Sequence, residues 1–301
     1  MPELPEVETV VRDLRAHALE HAVIRAVDVR WPRTVSGLAP EAFALALIDR
    51  AITGVTRRAK YIVVALDSGV RLLIHLRMTG KLRFAAAGEV PGKHDHVVIS
   101  LADGRRLVFN DTRKFGRFRL AASGADPLRG LGPEPLDEAF TLAALKERLR
   151  GKGRQLKPLL LDQTTVAGLG NIYVDESLWR ARLHPERRAD TLTPAELRRL
   201  HRAIREVLRR AVENCGTTLG EGQANFYSVA GHRGRNADEL KVFRRDGLPC
   251  PRCGTVLARM TVGQRGTHFC PRCQKAQEPG CRRPGGQGLT SPRTARSGSR
   301  P

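Results

Sequence analysis

The sequence has 301 residues, of which 41% are hydrophobic, so it is long enough for two domains and a smaller appendage and apolar enough to build a core. Lysine and arginine total 52 against 31 acidic residues, and the formal charge of +21 favours a polyanionic partner, with nucleic acid ahead of an anionic membrane surface. No apolar run reaches the roughly 18 residues of a membrane-spanning helix, and the start of the chain has no signal-peptide pattern, so we expect a soluble, cytoplasmic protein.

The first part of the chain is predicted to combine one helix with several short strands. Val7, Val10, Val11 and Leu14 recur at helical spacing, which predicts an amphipathic helix over residues 5–19. Segments rich in Val, Ile and Leu then predict strands at residues 22–30, 61–66, 70–76, 97–101 and 106–110. Turn residues at 67–69 and 102–104 link neighbouring strands, so an antiparallel sandwich or barrel is expected.

The character of the chain changes after Gly132-Pro133-Glu134-Pro135, where strand signals stop, and we place a domain boundary there. Beyond it, the pattern predicts helices at residues 142–149, 158–163, 172–182 and 194–212, the last of them capped by Thr193. Residues 217–240 have little periodicity and are predicted to form a long loop. Loops of this length inside a compact protein are usually either functional or disordered. From Ala276 the chain is mostly Arg, Pro, Gly and Ser, and this tail, which contributes +4 of the net charge, is predicted to be disordered.

Four of the six cysteines form two Cys-Pro-Arg-Cys pairs with 16 residues between them: Cys250, Cys253, Cys270 and Cys273. This spacing is typical of a zinc ribbon, in which two turns supply four thiolates to one tetrahedral Zn²⁺. Four thiolates leave no open position, so the metal is expected to be structural, and it is the only cofactor predicted. Because zinc ribbons occur in many nucleic-acid proteins, this motif does not choose a function.

The N-terminus offers a second chemical feature, because removal of Met1 would expose Pro2 as a secondary amine. The reference pKa of a terminal amino group is about 7.7–8.0, so part of it is unprotonated near neutral pH and can attack a sugar C1′ carbon. The adduct of a secondary amine stays an iminium ion and an electron sink, and Glu3 beside it is the natural general acid and base. The residues alone favour a simpler interpretation, in which Pro-Glu-Leu-Pro-Glu begins a helix whose dipole the carboxylates complement.

A series of motifs occurs in one order along the chain. They are MPELPEVETV (1–10), RRAKY (57–61), HLRMTG (75–80), KHDH (93–96), DTRKFG (111–116), LGPEPL (131–136) and GLGNIY (168–173), followed by the ribbon. Together they closely resemble the bacterial formamidopyrimidine-DNA glycosylase family over about residues 1–275. The resemblance implies an α+β multidomain protein with an N-terminal antiparallel β-sandwich, flanking helices, and a C-terminal helix-two-turn-helix domain with a four-cysteine zinc ribbon.

The resemblance also implies domain limits and residue roles. We expect a catalytic domain at 1–132, a helical domain at 133–240 with a lesion-covering loop at 217–240, the ribbon at 241–275 and the tail at 276–301. Pro2 resembles the family's Schiff-base nucleophile and Glu3 its general acid and base. Lys60 resembles the lysine that assists base release and β-elimination, and Arg265 the ribbon arginine that assists δ-elimination. The positions that match DNA-binding residues are His75, Met78, His94, Arg113, Phe115, Lys152 and Asn171.

Some of these positions match residues that grip phosphates or that enter the DNA duplex. Asn171 and Arg265 resemble the pair that grips the phosphates flanking the flipped nucleotide. Met78, Arg113 and Phe115 match residues that enter the duplex and fill the gap left by the extruded base, which recovers part of the cost of unstacking. Taken without the family context, Met78 and Phe115 would be interpreted as core residues.

The sequence therefore predicts a monomeric, nucleoid-associated bacterial repair enzyme that acts on damaged double-stranded DNA. It is expected to excise 8-oxoguanine and formamidopyrimidines and to cleave the abasic strand by β,δ-elimination. One alternative is an endonuclease VIII-like glycosylase for oxidised pyrimidines, against which Leu4 and Met78 argue. Another is a non-catalytic damaged-DNA-binding protein, which needs no free Pro2. Residues 220–238 follow the family pattern poorly, so lesion preference is less firmly implied than catalysis.

Overall fold

The structure is a computed structural model that describes residues 1–86, 88–222 and 225–276, with a β-rich first half, a helical second half and a small C-terminal hairpin. In chain order the elements are α1 (Leu4–Ala16), β1 (Ile24–Val29), β2 (Val35–Ser36), α2 (Pro40–Leu47), β3 (Ile52–Arg58), β4 (Tyr61–Leu66), β5 (Arg71–His75), β6 (Lys81–Phe84), β7 (Asp95–Leu101), β8 (Arg106–Asn110), β9 (Arg117–Ala121), α3 (Leu142–Leu149), α4 (Leu156–Leu161), α5 (Asn171–Ala181), α6 (Pro194–Glu213), β10 (Ala258–Val262) and β11 (Arg265–Phe269).

Two sheets form the first half. One has the strand order β1-β7-β8-β6 and is antiparallel, and the other has the order β2-β9-β5-β4-β3, in which β2 and β9 pair in parallel. Apolar residues of both sheets meet in one core, where the rings of Phe109 on β8 and Phe118 on β9 lie edge to face with centroids 4.9 Å apart. The predicted N-terminal sandwich is confirmed.

Helix α1 joins the two halves. Its apolar stripe of Val7, Val10, Val11 and Leu14 packs into the sandwich core, whereas Leu4 belongs to the core of the helical half. The helix ends at Ala16, three residues before the predicted end, because the backbone turns left-handed at Ala18 with a φ of 49°. The first residues of the chain are therefore held where the two halves meet.

Five elements of the first half were missed by the sequence prediction, namely α2, β2, β3, β6 and β9. The strands β6 and β9 are short and alternate basic with apolar residues, and β3 contains Gly54 and a shift of register beside it. Such segments have little apolar character of their own and are strands because their neighbours pair with them.

The helical half is built around α6, which packs against α5, α1 and α3. Its start is capped as predicted, since Glu196 N–H donates to Thr193 Oγ1 at 3.2 Å and Thr193 N–H donates to the Glu196 carboxylate at 2.8 Å. Helix α4 begins two residues earlier than predicted. Within the described ranges, no helix combines the length and apolar character needed to cross a bilayer. The tail predicted to be disordered lies, apart from Ala276, outside the described residues.

Candidate functional site

The buried carboxyl group of Glu3 lies at the N-terminus of α5. The N–H groups of Gly170 and Ile172 donate to its two oxygens at 2.7 and 2.9 Å, and Tyr173 N–H lies at 3.4 Å. The free N–H groups and positive dipole end of a helix N-terminus stabilise a carboxylate in this position. Glycine is needed at residue 170 because a Cβ there would overlap the Glu3 side chain. Backbone N–H groups of the GLGNIY motif thus bind the Glu3 carboxyl of the MPELPEVETV motif.

The acidity of the groups at this position is strongly changed by burial. Burial raises the pKa of Glu3 to about 7, although the Lys60 ammonium lowers it. Burial also lowers the pKa of the terminal amine of Met1, while Glu3 and Glu6 oppose that shift. Pro2, between these groups in the chain, is buried. A carboxyl that exchanges its proton near neutrality, next to Pro2 in the chain, suits proton transfer to or from a reacting group.

Glu6, one turn along α1, accepts three hydrogen bonds. Its Oε1 accepts from the Tyr173 hydroxyl at 2.5 Å and from Thr217 N–H at 2.7 Å, and its Oε2 accepts from Glu3 N–H at 2.8 Å. Burial raises the pKa of Glu6, whereas the hydrogen bond from Tyr173 lowers it. Glu6 therefore connects α1, α5 and the beginning of the 217–240 loop.

Lys60 lies in the tight turn between β3 and β4 and is 5% exposed. Burial lowers the pKa of its ammonium, and Glu3 and Glu6 raise it, so Lys60 lies within electrostatic reach of both carboxyl groups. The turn is held by Glu134, which accepts hydrogen bonds from Ala59 N–H at 2.5 Å and from Arg57 Nη1 at 2.6 Å. The LGPEPL motif at the domain junction thus positions Lys60.

His75 ends β5 and lies edge-on to the Tyr61 ring, with centroids 4.7 Å apart. Its Nδ1 accepts a hydrogen bond from Arg77 N–H at 3.0 Å, so the neutral ring carries its proton on Nε2. Burial, together with the charges of Arg77 and Lys60, lowers the pKa of His75 to about 3. His75 therefore offers a neutral N–H donor, which suits a phosphate oxygen.

Met78, Arg113 and Phe115 are exposed on two adjacent loops, β5–β6 and β8–β9. The Arg113 guanidinium lies over the Phe115 ring, 4.8 Å from its centroid. The fully buried Asp111 joins the loops by accepting hydrogen bonds at 2.5, 3.1 and 2.7 Å from Thr79 Oγ1, Arg113 N and Gly116 N. Exposed apolar side chains on loops held in this way can enter a stack of bases.

His94 and Lys152 stand on two other loops, and the carbonyl of His94 accepts a hydrogen bond from Asp111 N–H at 2.9 Å. His94 precedes β7, and its Nδ1 is buried and has no hydrogen-bond partner among the described residues. Lys152 is half-buried in the loop between α3 and α4. Among the described residues, no hydrogen bond or ion pair joins either side chain to the Glu3 carboxyl.

The turn of the β10–β11 hairpin packs against the N-terminus of α5. The carbonyl of Gly266 accepts hydrogen bonds from Asn171 Nδ2 and from Lys157 Nζ, both at 2.9 Å. Lys157 is fully buried and also donates to Asp175 at 2.6 Å. Arg265, next to Gly266, is exposed, and its charge contributes to the lowered pKa of Lys60. Asn171 and Arg265 are thus held together, with Lys60 within electrostatic reach.

The four cysteine sulfurs predicted to bind zinc lie within 4.8 Å of one another: Cys250, Cys253, Cys270 and Cys273. Four thiolates at a Zn–S distance of about 2.3 Å would be about 3.8 Å apart in a tetrahedron, so the cluster fits one Zn²⁺. The indole N–H of Trp179 on α5 donates to Cys250 Sγ at 3.4 Å, which ties the site to the helical half. The predicted structural zinc site is confirmed.

The 217–240 loop contacts both halves of the molecule where it is described. Phe226 and Val229 pack against the sandwich core, and Ala230 N–H donates to Asp13 of α1 at 3.2 Å. A 3-10 turn at Asn236–Glu239 closes the loop. Gln223 and Ala224 lie outside the described residues.

Four residues that organise the site were not singled out from the sequence: Asp111, Glu134, Lys157 and Asp175. Asp111 and Glu134 stand inside the DTRKFG and LGPEPL motifs, so a signal for them was present. Their partners belong to other segments, however, and only the folded chain reveals which groups they hold. For Lys157 and Asp175 no motif in the sequence indicated a buried pair.

Three family models match the chain in order. Residues 1–118 match the formamidopyrimidine-DNA glycosylase N-terminal domain, residues 131–221 match the formamidopyrimidine-DNA glycosylase H2TH domain, and residues 247–276 match a zinc finger found in FPG and IleRS. The predicted β-sandwich, helix-two-turn-helix region and zinc ribbon thus each have a counterpart in this family.

Curated relatives and solved structures agree with these matches. A formamidopyrimidine-DNA glycosylase of Roseiflexus sp. (strain RS-1) is 46% identical over 277 residues, which is 91% of this chain and 100% of the relative. One of Pelotomaculum thermopropionicum is 47% identical over 281 residues, 92% and 100% of the two chains. The crystal structure of MutM (FPG) from Thermus thermophilus has a TM-score of 0.82 at 44% identity, covering 91% of this chain and 98% of that one. The crystal structure of a Lactococcus lactis FPG mutant in complex with Fapy-dG containing DNA has a TM-score of 0.85 at 38% identity. The match covers 91% of this chain and 100% of that one.

Proposed function

The chain belongs to the formamidopyrimidine-DNA glycosylase family, and from this we propose that it removes oxidised purines from double-stranded DNA and cleaves the strand at the abasic site it creates. Its substrates are 8-oxoguanine and formamidopyrimidines. The observation that carries this proposal is the buried Glu3 carboxyl, which has a pKa of about 7 and is held at the N-terminus of α5 directly next to the buried Pro2. The enzyme works as a monomer, and because its substrate is genomic DNA, its proposed working location is the nucleoid.

Pro2 is the nucleophile once Met1 has been removed. Its nitrogen bonds to C1′ of the damaged nucleotide and gives up its N–H proton, the C1′–N bond to the base breaks, and the base leaves with a proton. The C1′–O4′ bond of the sugar then breaks, O4′ takes up a proton, and C1′ and the Pro2 nitrogen form an iminium ion. The resulting iminium nitrogen has no proton to lose and withdraws electrons from the sugar. Loss of a C2′ proton then breaks the C3′–O bond, loss of a C4′ proton breaks the C5′–O bond, and water releases the enzyme.

The neighbouring groups move the protons and balance the charge. Glu3 is close to half protonated at neutral pH and serves as the general acid and base. Lys60 is buried beside it and assists base release and β-elimination. Arg265 is exposed at the turn of the β10–β11 hairpin and assists δ-elimination of the second phosphate.

The remaining residues of the site hold DNA. His75, Asn171 and Arg265 bind the phosphates that flank the flipped nucleotide, with His94 and Lys152 as further DNA contacts. The exposed Met78, Arg113 and Phe115 fill the gap in the duplex, which lowers the cost of holding the base outside the stack.

Each proposed domain carries a different part of the proposed site. Residues 1–132 carry the amine and the gap-filling loops, residues 133–240 carry Asn171 and the loop over the lesion, and residues 241–275 carry Arg265. The Zn²⁺ held by the four cysteines stabilises the hairpin on which Arg265 stands.

Borohydride trapping tests the chemistry directly. Reduction in the presence of duplex containing an abasic site or 8-oxoguanine should give a covalent protein–DNA adduct, and peptide mass spectrometry should find the DNA on Pro2 with Met1 absent. Pro2→Gly should lose most of this adduct. Absence of an adduct from the natural chain, with tight binding of damaged duplex retained, would instead support a non-catalytic DNA-binding protein.

A substrate comparison tests the lesion class. Duplexes with 8-oxoguanine opposite cytosine should be cleaved faster than duplexes with thymine glycol in single-turnover reactions. The reverse order would contradict the proposed preference and favour an endonuclease VIII-like enzyme for oxidised pyrimidines.

A further inference from the structure

The two ends of the 217–240 loop meet in a buried hydrogen-bond network. Asn236 N–H donates to the carbonyl of Gly216 at 3.0 Å, and Asn236 Nδ2 donates to Thr217 Oγ1, also at 3.0 Å. Thr217 Oγ1 lies 2.9 Å from the Tyr173 hydroxyl, which donates to Glu6 at 2.5 Å. Asn236, Thr217, Tyr173 and Glu6 are all buried, so these bonds are shielded from competing water.

The direction of the bonds follows from the number of hydrogens available. Burial and the neighbouring Glu6 raise the pKa of Tyr173 well above its ordinary value, so the phenol keeps its single proton and gives it to Glu6. The Tyr173 oxygen must then accept from the Thr217 hydroxyl, which in turn accepts from Asn236. The side-chain donors from Asn236 through Thr217 to Tyr173 therefore all point toward Glu6.

The network ends at the first peptide of the proposed nucleophile. The other oxygen of Glu6 accepts from Glu3 N–H at 2.8 Å, and this N–H belongs to the peptide bond between Pro2 and Glu3. The peptide plane next to Pro2 is consequently fixed by the same carboxylate that Tyr173 holds. Gly216, before Thr217, packs so closely on Glu6 that a Cβ there would lie 2.9 Å from Oε1.

We propose that Tyr173 is a positioning residue for Pro2, which it holds through Glu6 on one side while Thr217 and Asn236, at the described ends of the 217–240 loop, hold Tyr173 on the other. This inference rests on the proposed function. Tyr173 does not touch the substrate in this scheme. It fixes the peptide next to the amine, so that attack at C1′ is fast when the hydroxyl network is intact.

Tyr173→Phe removes the hydroxyl while keeping the ring in the core. We expect the single-turnover rate of 8-oxoguanine release to fall by about 10- to 100-fold, as for a misplaced reacting group. Adduct formation at a preformed abasic site also requires attack by Pro2 and should fall by a similar factor. Binding of a duplex with an uncleavable abasic analogue should stay within about twofold of the natural chain, since no DNA contact is lost.

A matched pair at Thr217 tests the loop end of the network. Thr217→Val keeps the shape but removes the hydroxyl, whereas Thr217→Ser keeps the hydroxyl. We expect the valine variant to be slow in 8-oxoguanine release and the serine variant to be close to the natural rate. Equal rates for the two variants would contradict the proposed role of the hydroxyl network.

The pH profile separates positioning from a packing defect. The groups facing Glu6 are Glu3 and the terminal amine on its own segment, Lys60 in the β3–β4 turn, and Tyr173 on α5. Because the Tyr173 hydroxyl lowers the pKa of Glu6, its removal should move the acid limb of adduct formation to higher pH. A packing defect alone would lower the melting temperature and leave this limb in place.

Ser177→Ala is the control, because Ser177 is a buried residue of the same helix whose hydroxyl has no hydrogen-bond partner among the described residues. Its excision rate should match that of the natural chain. If the excision rate of Tyr173→Phe also matches that of the natural chain, or if its DNA binding and its rate fall in parallel, the proposed positioning role of Tyr173 is overturned. Failure of the proposed function would look different, since the natural chain itself would then form no adduct.

Discussion

At the scale of single residues, the raised pKa of Glu3 predicts how the activity depends on pH. Burial holds the pKa of Glu3 at about 7, whereas an exposed glutamate ionises near about 4.3. Because the leaving base needs a proton, we expect the excision rate to fall as the pH rises through about 7 and the protonated fraction declines. Glu3→Gln should lower excision by about 10²- to 10⁴-fold and abolish this limb, as single-turnover rates across a pH series would reveal.

The exposed Glu41 of α2 provides a matched control, since Glu41→Gln should leave the pH profile unchanged. The folded pKa of Glu3 lies above that of the unfolded chain, so its ionisation also reduces the free energy of unfolding as the pH rises toward 7. Melting temperatures at each pH separate this effect from chemistry. An unaltered limb in Glu3→Gln would show that another group supplies the proton.

At the scale of elements, the pair of Lys157 on α4 and Asp175 on α5 holds the turn of the β10–β11 hairpin through Gly266. Lys157→Met would leave the fully buried Asp175 carboxylate without its cation, at a cost of about 3–5 kcal/mol. We expect a lower melting temperature and a loosened Arg265, so δ-elimination products should decline more than β-elimination products. Thermal melts and gel analysis of the cleaved ends measure both effects.

The exposed Lys146 of α3 serves as the control for this change, and Lys146→Met should alter neither measurement. The double variant Lys157→Met/Asp175→Asn removes the stranded charge and should regain part of the stability lost in the single variant. If Lys157→Met kept the natural melting temperature and product ratio, the pair would have no role in placing the hairpin.

At the scale of the whole molecule, the charge of +21 sets how the protein meets DNA. Affinity for duplex should fall steeply with salt, with a log-log slope of about −0.9 for each phosphate neutralised. Removal of residues 276–301, which carry +4 of the charge, should make this slope shallower if this basic tail binds DNA. Excision of a saturating short duplex should be unchanged. Titrations at several salt concentrations test this, and a salt-insensitive affinity would contradict the proposed phosphate binding.

The sandwich core, the capped α6 and the zinc ribbon were predictable because each is encoded by local spacing. Strands β6 and β9 were not, since their basic residues give little apolar pattern and pairing with neighbours makes them strands. The motif order also indicated Pro2, Lys60 and Arg265 as candidate site residues, and for these we propose catalytic roles.

By itself, the sequence determined the polyanionic partner, the four-thiolate metal site and the family, because charge, ligand spacing and motif order are properties of the linear chain. Only the tertiary structure decided that Glu3 lies on the N-terminus of α5, that Asp111 joins the β5–β6 and β8–β9 loops, and that Tyr173 links Glu6 to the ends of the 217–240 loop. The physical reason is distance along the chain. The contact between Glu3 and Tyr173 spans 170 residues, and the burial that shifts the pKa of Glu3 exists only after both halves have packed together.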